Sequence, residues 1–493
     1  MSKLKRLAGQ TAIYGISTIL VRSLNWLINP FHTYVFGENQ SDMGIIVELY
    51  AYVAFVNVLL MYGMETAFFR YASKDKENHQ KIFSTAMLSL LLTTGFFVML
   101  ISLFSQNIAR VLLYPNLSHI VVILSFIIGF DTLSNIPFAK LRLEGKPLRY
   151  VKIKLINVLI TVGLNFFLLF PLLKGNPKLF GLPLQNEHAL LYVFIANLAA
   201  SVLTFLIFVP DFIRTKFEFC KKTWTDMLRY GLPLIVVGLA GIVNETIDRI
   251  LLKYLLPQES LTERNAQVGI YGAVYKLAIF MSLVVQAYRM GAEPFFFGQA
   301  KDKDALPTVA KAMSLFVIMG MTIFLAVSFN LDWIILIIEE GYRGAKDIVP
   351  ILLMAYLFLG IFYNLSVWYK LGDKTHYAMV ISIVGAGVTI LINVIFIPSH
   401  GYWASAWATL ASYLVMTIIS WQWGKKYYPV PYDLSLVLFY LSIGLGFFAL
   451  SKYIVPESFI LQLIWKNGLL ICFIVIALVK DVYPLLKRRQ LHK

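Results

Sequence analysis

The sequence predicts an all-α polytopic membrane protein of about fourteen transmembrane helices, in two parallel six-helix lobes followed by two further C-terminal helices. Three observations predict it. Apolar residues make up 59% of the 493-residue chain and charged residues only 14%, with a mean hydropathy of +0.72, too little polar material to cover a soluble protein. Apolar windows of about 20 residues, the length a helix needs to cross a bilayer, recur with centres near residues 23, 57, 93, 130, 161, 200, 241, 279, 317, 358, 387, 412, 443 and 470. With the amino terminus inside, 31 of the 43 Lys and Arg fall in inside segments, 9 in outside loops and 3 within spans, the bias expected of cytoplasmic loops. Both termini are then cytoplasmic.

The first span follows the basic start MSKLKR, but Arg22, Asn25 and Asn29 interrupt its apolar run. No small-residue cleavage site follows, so it reads as an uncleaved span and not a signal peptide. Gly15, Thr18, Arg22, Asn25 and Asn29 recur every three or four residues and share one helix face. At about 1.5 Å per residue, Arg22 sits about 18 Å from the inside start, near mid-bilayer. A guanidinium there needs an acid, water or an anionic ligand such as phosphate; Glu48 of span 2 and Asp131 of span 4 are the candidate acids.

Span 7 carries Gly241, Asn244, Glu245 and Asp248 on one face, with Glu245 and Arg249 spaced i, i+4 for an ion pair. Span 8 carries Lys276, with Gly272, Tyr275, Ser282, Gln286 and Arg289 along a stripe. Lys276 can meet substrate or pair with Glu245 or Asp248. The candidate cavity residues are therefore Arg22, Asn25, Asn29, Arg249, Lys276 and Gln286. Glu48, Asp131, Glu245 and Asp248 are the candidate coupling or ion-pair carboxylates, since charge within a membrane span marks function or pairing. The apolar patch at residues 331–338 is too short to cross and is expected at the outer interface.

The chain repeats itself. Gly44-Ile45 with Tyr50 recurs as Gly269-Ile270 with Tyr275, Tyr14-Gly15 as Tyr230-Gly231, and Gly145 and Asn165 as Gly372 and Asn393, at offsets of 216 to 228 residues. Six spans separate the copies, so they share one orientation, as in transporters whose two lobes are related by an axis along the membrane normal. The expected organisation is a lobe over 1–215, a cytoplasmic linker over 216–229, a second lobe over 230–425, and two extra spans with a basic tail over 426–493.

The net charge of +16 resides in short loops between apolar runs, which points to anionic headgroups and away from nucleic acid. Cys220 and Cys472 are too few and too far apart for a disulfide framework. Asp302-Lys303-Asp304 has the form of a metal-binding Asp-x-Asp but reads as a solvated charge run. No metal spacing, nucleophile constellation or phosphate loop is present, and the outside loops are short, so neither an enzyme nor a cofactor is expected.

Six segments carry a family resemblance: TYVFGENQSDMGIIVELYAYVAFVNVLLMYGMETAFFRY from Thr33, KLRLEGKPLRY from Lys140, YGLPLIVVGLAGIVNETIDRILLKYLL from Tyr230, VGIYGAVYKLA from Val268, EEGYRGAKDIVPILL from Glu339 and IPSHGYWASAWATLASYLV from Ile397. In this order, over residues 10–425, they resemble the polysaccharide biosynthesis or lipid-linked oligosaccharide (O-antigen) flippase family. Its superfamily also holds multidrug and toxic compound extrusion (MATE) antiporters and lipid II flippases. The resemblance implies a MATE-like pair of lobes around a cavity and a cargo of undecaprenyl-diphosphate-linked oligosaccharide moved across the bacterial inner membrane for surface polysaccharide. It implies membrane lipids as surroundings, with a polysaccharide polymerase and glycosyltransferases as candidate partners. It also implies cations lining the cavity, for which Arg22, Arg249 and Lys276 are this chain's intramembrane candidates. A cation-coupled multidrug antiporter and a lipid II flippase are the alternatives. Ala404-Ser405 followed by bulky Trp407 departs from the family's small-residue pattern, and altered packing is expected there.

Overall fold

A computed structural model describes residues 3–75, 77–174, 178–179, 182–183, 185, 188–299, 305–371, 374 and 376–482. The Asp302-Asp304 run and Gly372 lie outside the described residues. Among the described residues, twelve helices are long and apolar enough to cross a membrane, or thirteen with one bent pair counted as a span. They coincide in order with predicted spans 2 to 14, and α1 (Lys3–Phe36) occupies the position of span 1. The chain is a multi-pass helical membrane protein. Helix is the expected solution, because in hydrocarbon every backbone N–H and C=O must be satisfied within its own segment.

The chain divides into two compact units, residues 1–269 and 270–493. In the first, α1 is followed by α2 (Gln40–Met61), α3 (Met64–Lys74), α4 (His79–Leu103), α5 (Ser105–Val111), α6 (Ser118–Leu143), α7 (Pro147–Leu173), α8 (Ala189–Ile213), α9 (Lys221–Leu255) and most of α10 (Leu261–Tyr275). Strands β1 (Lys178–Leu179) and β2 (Leu182–Pro183) form a two-residue hairpin. α7 packs between α1 and α8, and α6 between α4 and α8.

This unit runs past residue 229 because α9 packs along α2. Their approach is set by glycine. Tyr62 and Gly63 are left-handed, with φ of 32° and 72°, and break predicted span 2 into α2 and α3. A Cβ on Gly63 would lie 2.7 Å from the Cα of Gly231 on α9, and one on Gly231 would lie 2.7 Å from the Tyr62 carbonyl oxygen. At the other end, the repeat-related glycines Gly44 and Gly269 meet: a Cβ on Gly44 would lie 3.1 Å from the Gly269 nitrogen, and one on Gly269 would lie 2.9 Å from the Gly44 nitrogen. The stretch before α9 is tied to α4, since Ser84 Oγ donates to the Glu218 carbonyl at 2.9 Å and Thr85 Oγ1 accepts from the Cys220 amide at 3.2 Å.

The second unit continues with α11 (Ile279–Gln299), α12 (Ala305–Phe329), α13 (Leu331–Ile334), a 3₁₀ segment at Glu340–Ile348, α14 (Val349–Leu365), α15 (Val367–Leu371), α16 (His376–His400), α17 (Tyr402–Tyr427), α18 (Leu434–Tyr453) and α19 (Phe459–Ala477). α14 is the buried centre, packed by α11, α12 and α17. Trp407 is exposed, and α17 is joined to α16 by Ser405, which donates to Asn393 Oδ1 at 2.8 Å, and by Ser412, which donates to the Gly385 carbonyl at 3.0 Å. The patch at 331–338 forms α13 and one turn of 3₁₀ helix.

The repeat survives as matched local structure. Asn165 on α7 donates to the Thr161 carbonyl at 2.7 Å, and Asn393 on α16 donates to the Thr389 carbonyl at 2.8 Å. Each amide oxygen then accepts from a neighbouring helix, from His32 Nε2 at 2.8 Å and from Ser405 Oγ at 2.8 Å.

Gly44→Val forces side-chain volume against the Asn265 backbone and should cost about 1–3 kcal/mol, read as a lower unfolding midpoint in detergent. Gly163→Ala, whose Cβ meets open space, should leave the midpoint unchanged or raised. In the second unit, burial raises the Asp332 carboxyl, but hydrogen bonds from Lys466 and Lys346 outweigh it and hold the group below its ordinary range. A depressed carboxylate stabilises the fold above its unfolded value of about 3.9 and loses that contribution as pH falls through the folded value. The midpoint gap between the native protein and Asp332→Asn should therefore hold steady above about pH 5 and shrink below about pH 4.

Candidate functional site: a polar cavity in the first unit

Span α6 places Asp131, Ser134, Asn135 and Phe138 at i, i+3, i+4 and i+7, on one face. α7 adds Lys154 and Asn157, α2 adds Asn57, α3 adds Glu65 and α8 adds Thr204, and together they enclose a cavity of about 460 Å³. That volume is within the range of small-molecule sites. Leu234 and Ile235 of α9 complete the wall. They follow Pro233, which removes a backbone hydrogen bond from the helix beside the cavity, as Pro137 does in α6.

Five of the polar side chains have partners. Lys154 Nζ stands 4.1 Å over the Phe138 ring, and that ring is held edge-on by Phe208 at 5.0 Å. Asp131 faces Ser201 of α8 and the positive charge of Lys154. Asn157 Nδ2 donates to Thr204 Oγ1 at 2.9 Å. Glu65 is paired with Arg142. A carboxylate, an ammonium, amides and hydroxyls inside a membrane bundle can bind a polar group rich in donors and acceptors. Lys154 contributes a point charge for an anion.

A second charged cluster lies in the same unit. Glu48 on α2 and Lys253 on α9 form an ion pair of 3.0 Å, with side-chain exposures of 1% and 0%. Tyr114 donates to Glu48, and its hydroxyl lies 3.0 Å from Asn265 Oδ1. Lys253 also donates to the Leu112 carbonyl at 2.5 Å and sits 3.7 Å above the Tyr114 ring. Leu113, left-handed at φ 63°, turns the connection that carries both groups.

The residues singled out from sequence are thus dispersed. Asp131 lines the cavity and Glu48 is in the buried pair, and the cations facing them are Lys154 and Lys253, where sequence spacing had offered Arg22. Arg22 and Asn25 are exposed on α1, whereas Asn29 is buried. Glu245 is exposed and Asp248 buried. Arg249 donates to the Glu245 carbonyl at 2.8 Å and approaches Asp248 at 3.9 Å, so its i, i+4 partner is the backbone of Glu245. In the second unit, Lys276 lies in the break between α10 and α11, whose axes bend by 49°, and Gln286 is half-buried on α11. Lys154 and Lys253 carried a signal in the sequence, an i, i+3 or i, i+4 relation to polar partners on their helices, but both stand near span ends, where Lys is common.

Membrane-length helices, a polar cavity among them and a fully buried ion pair define a multi-pass membrane protein with polar groups inside its helix bundle. The chain belongs to the polysaccharide biosynthesis protein family, whose profile matches residues 7–297. Among solved structures it is similar to the lipid II flippase MurJ in an inward closed conformation, at 14% identity and a TM-score of 0.73 over 96% of this chain and 100% of that one. It is also similar to an inward-facing multidrug resistance MATE family transporter of the MOP superfamily, at 12% identity and a TM-score of 0.64 over 82% of this chain and 94% of that one. A mutant of the Vibrio cholerae MATE transporter VcmN matches at 12% identity and a TM-score of 0.58, over 86% and 98%. These likenesses establish the fold. No curated protein matches the chain.

Removing one partner of a buried ion pair leaves the other charge uncompensated, at about 3–5 kcal/mol, while replacing both by apolar groups is often near neutral. Lys253→Met should therefore lower the unfolding midpoint sharply, and adding Glu48→Leu should restore most of the loss. A double variant no more stable than Lys253→Met would contradict the pairing.

Proposed function

We propose that the protein is a flippase that carries undecaprenyl-diphosphate-linked oligosaccharide across the bacterial inner membrane by alternating access, for surface polysaccharide. The observation that carries this reading is the polar cavity among the membrane helices of the first unit, in a chain of the polysaccharide biosynthesis protein family. The unfavourable part of moving such a lipid is the diphosphate and sugars, since polar groups without partners are expensive in hydrocarbon, whereas the polyprenyl tail is at home there. Asp131, Asn135 and Asn157 suit sugar hydroxyls, and Lys154 suits a phosphate oxygen.

In this reading the lobes are residues 1–215 and 230–425, joined by the linker 216–229 and followed by two further spans. Arg22, Arg249 and Lys276, with Asn25, Asn29 and Gln286, line the path of the headgroup. Both termini face the cytoplasm, and transport involves no chemical step and no cofactor. A polymerase and glycosyltransferases are the partners that would consume and supply such a cargo. The likeness to MurJ supports lipid II as a second cargo. The carboxylate Asp131 in the cavity supports a third reading, a cation-coupled antiporter.

Proteoliposomes carrying defined lipid-linked sugars separate these readings. Headgroups should become accessible to an impermeant glycan-modifying reagent only when the protein is present, with lipid-linked oligosaccharide moved faster than lipid II. Lys154→Gln and Arg22→Ala should each cut the rate by about tenfold or more, the cost of losing a charge-assisted hydrogen bond. Unchanged accessibility with either lipid, together with efflux of small organic cations, would reject the flippase in favour of the antiporter.

A further inference from the structure

A second cavity, confined to the second unit, has a volume of about 280 Å³ and lies where α12 ends, α13 begins and α18 ends. Lys346, Lys452 and Lys466 line it together with Asp332 and Asp347, which leaves positive charge in excess. Asp332 is shared, with the Lys346 and Lys466 ammonium groups each 3.1 Å from one of its oxygens. Lys452 reaches Asp347 only at 3.6 Å, beyond hydrogen-bond distance. Each ammonium carries three donors, so these carboxylate contacts occupy a minority of them. Ser328 Oγ, on the cavity wall, is a buried hydroxyl with no hydrogen-bond partner. The frame is firm: Asn330 and Asn467 exchange amide hydrogen bonds of 3.2 Å, joining the end of α12 to α19.

The surroundings point to the kind of anion. Trp333, Leu336, Ile337, Val455 and Ile460 are large apolar residues exposed on the segments that carry or flank the lysines. A soluble anion has no use for such a collar, whereas a lipid needs apolar surface beside a cationic headgroup site.

We propose that this cleft binds the phosphate of a membrane lipid: Lys452, Lys346 and the Ser328 hydroxyl take the phosphate oxygens, and the acyl chains lie along the apolar collar. Lys466 holds Asp332 in place and keeps that carboxylate from facing the phosphate alone. In the topology proposed above, the cleft opens at the outer face. The chemistry is common to an anionic glycerophospholipid and a polyprenyl diphosphate. The site is independent of the flippase reading, since binding can be measured without transport.

Native mass spectrometry of the full chain in detergent tests it, with phosphatidylglycerol, phosphatidylcholine, undecaprenyl diphosphate and inorganic phosphate titrated separately. Phosphatidylglycerol should be retained in preference to phosphatidylcholine. Lys452→Gln should weaken that retention about fivefold, as expected for one lysine facing an anionic surface, and Lys452→Arg should preserve it, with unfolding midpoints unchanged in both. Tighter retention of undecaprenyl diphosphate through the same residues would assign the cleft to the polyprenyl lipid, and equal retention to bulk phospholipid. Equal binding of phosphatidylglycerol and phosphatidylcholine, or retention unaltered in Lys452→Gln with Lys346→Gln, would overturn the proposal. Binding of inorganic phosphate as tight as that of the lipid would also overturn it.

Discussion

The contact between Glu48 and Lys253 is the constraint on which the first unit depends. Two charges this deeply buried persist only when each is matched, because taking an ion out of water costs several kcal/mol that a well-formed partner must offset. Here the match is detailed: the ammonium has the carboxylate, the Leu112 carbonyl and the face of Tyr114, and the carboxylate has the ammonium and the Tyr114 hydroxyl. Such a pair adds little net stability over well-packed apolar residues, but breaking it by removing one partner is costly. It ties α9 to α2 along the seam where Gly63 meets Gly231 of α9, and Gly44 of α2 meets Gly269 of α10, since only residues lacking Cβ let the backbones come so near.

The cavity grows from the same arrangement. With α9 held against α2, α3 continues past the Tyr62–Gly63 break and brings Glu65 and Thr66 to the cavity wall, while Leu234 and Ile235 line it from α9. The polar face of α6 then meets Lys154 and Asn157 of α7 across an open space. Asp131 and Lys154 both line the cavity, whereas Glu48 and Lys253 are in direct contact in the packed seam. The difference is room: Tyr114 packs into the seam, and the cavity stays open at about 460 Å³.

Much of the fold was legible because hydrocarbon admits only helices and closed barrels, and the length and apolar content of a helical crossing are written directly in the chain. The repeat was legible through residues whose roles are local: Asn165 and Asn393 make the same bond to a threonine carbonyl one turn back, and Gly44 and Gly269 are needed at one close approach. The site was less legible. Hydropathy averages over a window, so a lysine near the end of a span looks like a loop residue, and Lys154 and Lys253 were both read that way. Arg22 stood out because it interrupts an apolar run, yet its side chain is exposed on α1; Glu48 meets Lys253, 205 residues away in the chain, and Lys154, which faces Asp131, stands near the start of the next span. Trp407 shows the converse, an apparent packing conflict that vanishes once the residue turns outward.

The claim that the cavity in the first unit receives the polar headgroup is tested most directly by substrate protection. In a chain with Cys220 and Cys472 replaced by serine, a single cysteine at Asn135 should react with a membrane-impermeant thiol reagent when the cavity is open. Undecaprenyl-diphosphate-linked oligosaccharide should slow that reaction, and undecaprenyl phosphate lacking sugars should slow it far less. Labelling at an unchanged rate under saturating lipid-linked oligosaccharide would contradict the account.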